Sequence, residues 1–141
     1  MEYVDGKIVG LMSGRQVHRL LPVADLWAAY RQSMDVRRPG SALGHNSFGW
    51  YTRRGYGFVY GESAVFGQID QDGRFCVSHF CPASKRQGRD LLIVLRQCGH
   101  DVGLAVTRDM AGMLAKLGYQ EVGTTMLPFR GEMVEKVVFI P

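Results

Sequence analysis

The segment Arg74 to Leu95, RFCVSHFCPASKRQGRDLLIVL, holds the densest chemistry in the chain. An extended run ends at Pro82, Lys85 follows three residues later, and Gly88 three after that; apolar residues then recur at helical spacing. A glycine-containing turn at a helix N-terminus presents unpaired backbone N–H groups beside the positive end of the helix dipole, which is a ready site for an anion. Lys85, Arg86 and Arg89 would add charge there, and arginine suits planar anions such as phosphate. The plain alternative is an ordinary strand-to-helix turn carrying solvated cations.

Two titratable groups lie close enough in sequence to serve such a site. His79 sits on the strand feeding the turn, and Glu62 on the hairpin before it. Either type can act as a general base, although a packed strand histidine and a surface carboxylate are the blander descriptions. Cys81 has no partner base in sight and reads as a small buried hydrophobe. Tyr119, directly after Gly118, reads as core.

The three cysteines, Cys76, Cys81 and Cys98, are odd in number and lack Cys-x-x-Cys spacing. A disulfide framework is disfavoured and a reducing cytosol is the simplest home. No metal site is expected, because His79 lies between Cys76 and Cys81 on one strand.

A competing motif stands at Arg54 to Val59, RGYGFV, which fits the first six positions of an RNA-recognition signature. In that reading Tyr56 and Phe58 stack on bases and Arg54 meets phosphate. The final aromatic is replaced by Gly61, and no aromatic partner strand lies upstream. RNA binding is therefore disfavoured, and a glycine-spaced aromatic strand is expected instead.

These groups need elements to position them. Lys7 to Met12 is expected as an extra strand or arm, and Gln16 to Leu21 as an extended segment. Pro22 then opens a helix over Val23 to Met34. The run DVRRPGSALGHNS (35–47) reads as a loop. Strands are expected near 48–52, 57–61, 64–70 and 74–81, with Asp72–Gly73 as a hairpin signal. Leu91, Leu92, Leu95 and Cys98 place a helix over 86–98, ended by Gly99. Val102 to Val106 is a short buried strand. Thr107 caps a helix whose Met110, Met113, Leu114 and Leu117 form an apolar, core-facing stripe, and Gly118 ends it. Tyr119 to Leu127 and Glu132 to Ile140 are strands joined by a turn at Phe129–Arg130–Gly131. The order β-α-β-β-β-α-β-α-β-β describes an α/β domain with a mixed central sheet and flanking helices.

Composition bounds the rest. The 141 residues fit one domain, 46% apolar and 21% charged. Thirteen of the seventeen cations are arginine, yet the net charge is only +4, too even for a strong nucleic-acid binder. The longest aliphatic run, Leu91 to Leu95, is far short of the roughly 20 residues of a membrane span. The first residues lack the pattern of a signal peptide. A cytoplasmic location, without nucleic acid or membrane, is the expectation.

Pro82, Lys85 and Gly88 resemble the first three marks of motif A in the GNAT superfamily of N-acetyltransferases: Pro, two residues, Arg or Gln, two residues, Gly, one residue, Gly or Ala. RLLPVADLWAAYRQ is similar to the first strand and helix of that family, and AGMLAKLGYQEVG to its later helix and the start of its closing hairpin. The resemblance covers residues 16–140. It implies a single GNAT-like domain over 15–141, preceded by a strand or arm over 1–14.

The resemblance further implies acetyl-CoA as cofactor, its pyrophosphate at the helix start and its acetyl carbonyl against backbone N–H groups near Phe80 and Cys81. The contacts it implies are Phe80, Cys81, Lys85, Arg86, Gln87, Gly88, Arg89 and Asp90. The implied reaction moves acetyl to a small amine or a protein amino group, with His79 and Glu62 as candidate bases. Two departures matter. Asp90 stands where the family has its second small residue, and Leu114 where many members carry a tyrosine acid. They open a second reading: a catalytically degenerate relative serving as a binding or assembly protein, for example a bacteriophage virion component. Protein partners or a homo-oligomer fit either reading.

Overall fold

The computed structural model describes residues 2–4, 7–22, 26, 55–129 and 132–141. Leu26 is helical and buried. The rest of the expected helix over 23–34, the loop over 35–47, the strand near 48–52, Arg54 and the turn residues Arg130 and Gly131 lie outside the described residues.

A small antiparallel sheet comprises β1 (Glu2–Val4), β2 (Lys7–Ser13) and β3 (Gln16–Arg19), in that order. Gly14 turns the β2–β3 hairpin with a φ of 59°, a left-handed value that favours glycine. The extended segment expected over 16–21 is in fact divided at Leu20. β3 belongs to the small sheet, whereas β4 (Leu21–Pro22) starts the main one.

From Gly55 the order is β-β-β-α-β-α-β-β, as the periodicity predicts. The elements are β5 (Gly55–Tyr60), β6 (Ser63–Ile69), β7 (Phe75–Cys81), α1 (Lys85–Gln97), β8 (Val102–Val106), α2 (Ala111–Lys116), β9 (Gln120–Phe129) and β10 (Glu132–Ile140). They form a mixed α/β fold with a seven-stranded sheet in the order β4-β5-β6-β7-β8-β10-β9. Every neighbouring pair is antiparallel except β7 with β8. That single parallel step follows from the crossover through α1, since a parallel connection needs a long excursion over the sheet.

The apolar stripe of α1 packs Leu91, Leu92 and Leu95 onto the sheet face carrying Phe58, Val65, Phe75 and Val77. Leu11 of β2 and Leu20 join the same cluster, so the small sheet closes over this core. Gly99, with φ 66°, ends α1 as expected. The segment after β8 is tighter than its periodicity suggests. Arg108–Met110 forms a 3₁₀ turn before the six-residue α2. Thr107 is extended there, and its side chain makes no capping bond. Met113, expected in the core, is exposed, while Leu114 is fully buried. The other two stripe positions, Met110 and Leu117, are half-buried against the core.

The glycine-spaced aromatic strand expected at RGYGFV is present as β5. Phe58 is only 2% exposed and Tyr56 is half-buried against the same core. Both pack into the core that α1 covers.

Candidate functional site

The parallel ladder between β7 and β8 is short. It joins Phe75 to Val102, Cys76 to Gly103 and Val77 to Leu104, while β7 continues to Cys81. Immediately after Val77 the register with β6 shifts. Phe66 pairs with His79 and Gly67 with Val77, which leaves Ser78 as the extra residue of a β-bulge. A bulge bends its strand and raises the local twist, so it falls where β7 and β8 cease to pair. Gly67 permits this. A Cβ on it would stand 1.9 Å from the carbonyl oxygen of Cys76. The sequence held this signal, because an isolated glycine within the apolar run SAVFGQI marks a bulge or a close backbone approach.

Beyond the bulge, β7 leads through Pro82–Ala83–Ser84 into α1. Ser84 is the N-cap: its backbone is extended and its Oγ accepts from the Gln87 backbone N–H at 3.1 Å. The helix therefore begins at Lys85, earlier than expected, and Gly88 lies within its first turns rather than in a preceding loop. The reason for the glycine is packing. A Cβ at Gly88 would approach the Pro82 side chain to 2.9 Å.

The first turn of α1 holds no acid, and Lys85, Arg86 and Arg89 are all exposed around it. The partial positive charge of the helix end is thus reinforced instead of offset. Asp90, expected inside the phosphate turn, is exposed one turn further along.

Gln87 has a different job from the one its position suggests. Its Oε1 accepts from the Ser63 hydroxyl at 3.1 Å and from the Glu62 backbone N–H at 3.3 Å. The Ser63 Oγ in turn accepts from the Ala83 N–H at 2.9 Å, and Ser63 is fully buried. This chain of hydrogen bonds clamps the β5–β6 turn to the start of α1. Ser63 was not among the predicted site residues, and a serine at a strand start carries no spacing signal that would single it out.

His79 is buried on the sheet face of Phe66, with ring centroids 6.5 Å apart. Glu62 is exposed in the turn beside Gln87. Glu62 lies in the turn before β6, whereas the partner of His79, Phe66, is the fourth residue of that strand. The structure brings Glu62 to the helix start and leaves His79 in the bulged stretch of β7, so the two do not form one dyad.

The thiols of Cys76 and Cys98 are poor nucleophiles. Burial, reinforced by Asp70, pushes Cys76 up to about 11, and burial with Asp101 does the same for Cys98. Tyr119 is no substitute acid either. Its hydroxyl donates to the Leu92 carbonyl, and burial holds the phenol well above its ordinary pKa. Cys81 closes β7 opposite Ala64. Among the described residues no group of His, Cys, Asp and Glu is arranged to hold a metal, and no helix is long and apolar enough to cross a membrane. Neither a protein-family model nor a curated protein sequence matches this chain.

Proposed function

We propose that the chain is a GNAT-type N-acetyltransferase in which the divergence of β7 from β8 and the start of α1 receive acetyl-CoA. One observation carries this reading. Among the described strands the one parallel pair stops pairing at a bulge, directly ahead of a helix start ringed by three cations, with no acid in the helix's own first turn. A local rule broken in this way, with cations at the wrong helix end, points to function. The strand order β4-β5-β6-β7-β8-β10-β9, with its one parallel step, further supports the family.

In this reading acetyl-CoA supplies an activated acyl thioester. Lys85, Arg86 and Arg89, with the first N–H groups of α1, hold the phosphates. The backbone of β7 at Phe80 and Cys81 polarises the acyl carbonyl. His79 accepts the proton that an incoming ammonium must lose before its nitrogen can attack. The acceptor is a small amine or a protein amino group.

A second reading, a relative that retains the fold and serves in binding or assembly, has its own supporting observation. Leu114 is locked in the core and the Tyr119 hydroxyl is committed to Leu92, so neither position offers a tyrosine acid to a leaving thiolate.

Thermal denaturation with acetyl-CoA separates the two. Saturating acetyl-CoA is expected to raise Tm by several degrees, because it binds only the native state. Lys85→Ala and Arg86→Ala abolish the rise without lowering the unliganded Tm, since both side chains are exposed. Gly88→Glu is less informative because it also strikes Pro82. Absence of any shift at millimolar acetyl-CoA overturns the acetyltransferase reading. A shift without turnover on any amine, strengthened by Asp90→Gly, establishes the degenerate one.

A further inference from the structure

We propose that the outward layer formed by α1 and the β2–β3 hairpin is a docking surface for an anionic lipid bilayer. The two elements adjoin on one face of the main sheet. Leu11 and His18 of the hairpin and Leu91, Leu92 and Leu95 of α1 are turned inward, so the opposite sides of both elements look out together. At helical spacing Arg86, Arg89, Ile93 and Arg96 share the exposed arc of α1, with Lys85 beside them. On the hairpin Met12 pairs with Val17 on the side away from the buried Leu11 and His18. Arg15 and Arg19 stand two residues to either side of Val17 and are exposed with it.

Charge is concentrated on this layer. Its six cations, Arg15, Arg19, Lys85, Arg86, Arg89 and Arg96, face a single acid, Asp90. Elsewhere among the described side chains acids outnumber cations, eight to four. None of the six cations forms an ion pair among the described residues.

The occupant must be anionic and must also accept aliphatic side chains. Residues 23–54 carry five arginines against two acids, and a second copy presents the same cations, so neither is complementary to the layer. Nucleic acid answers the charge alone. It gains nothing from Met12, Val17 and Ile93, which are 37%, 48% and 38% exposed, and the exposed large apolar residues among those described include no aromatic for base stacking. A bilayer uses both sets, with arginines at the phosphate level and aliphatic side chains at the acyl boundary beneath. Contact of this kind lies on the surface and needs no spanning helix. It goes beyond the acetyl-CoA reading. Lys85, Arg86 and Arg89 are common to both, so Arg15, Arg19, Val17 and Ile93 are the deciding residues.

Vesicle flotation of the full chain is the test. Phosphatidylcholine vesicles containing about one third phosphatidylserine are expected to carry the chain, whereas pure phosphatidylcholine vesicles leave it behind. Salt at about 1 M, where screening acts within roughly 3 Å, releases most of it. Arg15→Gln with Arg19→Gln weakens binding about 25-fold, at about five-fold for each cation removed. Val17→Ser with Ile93→Ser weakens it several-fold with the charge unchanged. All four side chains are exposed, so far-UV circular dichroism and Tm should stay at the unsubstituted values. In the unsubstituted chain, anionic vesicles should slow hydrogen exchange in β2 and β3 relative to β9 and β10, which tests the surface without any substitution. Failure to float with anionic vesicles, equal binding to neutral ones, binding untouched by the Arg15 and Arg19 substitutions, or tighter capture by duplex DNA than by anionic vesicles overturns the proposal.

Discussion

Ser63, Gln87 and Gly67 decide the shape of the candidate site although none of them needs to touch a ligand. Ser63 and Gln87 fasten the β5–β6 turn to the first turn of α1. Ser63→Ala strands the Ala83 N–H and removes one donor from Gln87. Removing one member of a buried network costs about 2 kcal/mol, or roughly 5 °C in Tm at this chain length, readable by thermal denaturation. Gly67→Ala pushes a methyl group into the Cys76 carbonyl and costs about 3 kcal/mol or more, because backbone has to move. At this scale the cations Lys85, Arg86 and Arg89 were legible in the sequence, since a helix start after a strand can be read from periodicity. The roles of Gln87 and Gly88 were not. A carboxamide turned to a hairpin and a glycine packed on Pro82 depend on contacts between segments that no spacing reports.

The β2–β3 hairpin shows how an element is secured by one polar pair. Ser13 Oγ and His18 Nε2 lie 2.6 Å apart and both residues are buried. The His18 ring sits against Phe58 at 5.4 Å and edge-on to Tyr60 at 6.1 Å, joining the small sheet to the main core. Burial lowers the His18 pKa below its ordinary 6.5. The folded hairpin thus favours neutral imidazole, and the unfolded chain binds the proton more readily. Stability is complete above pH 6.5 and declines as pH falls through that value toward the lower folded pKa. Tm measured between pH 7.5 and 5 should fall, and His18→Phe should flatten the curve while keeping the hairpin docked. Periodicity located the strands of this hairpin but not their destination. Nothing local tells β3 to leave the main sheet at Leu20.

Taken as a whole, the molecule is a sheet whose two faces serve different purposes. One face, with Phe58, Val65, Phe75 and Val77, is sealed by α1 and the small sheet. Phe66 and His79 lie on the other, beside the bulge. The Phe58 side chain is therefore a core group. Phe58→Ala is expected to cost about 3–5 kcal/mol in chemical denaturation, while filter binding should detect no single-stranded RNA retained by the unsubstituted chain. The sequence by itself determined the elements from Gly55 onward, the helix start with its cations, the glycine stops at Gly99 and Gly118, and the exclusion of a long apolar membrane span. These are local properties, fixed by side-chain periodicity, backbone freedom and charge. Only the tertiary structure decided that β7 and β8 part at a bulge, that Ser63 clamps the turn to α1, that Leu114 and Tyr119 are spent on the core, and that β9 ends the main sheet among the described strands. Those features arise from which segments meet, and strand register and sheet order are settled by long-range packing rather than by neighbours along the chain.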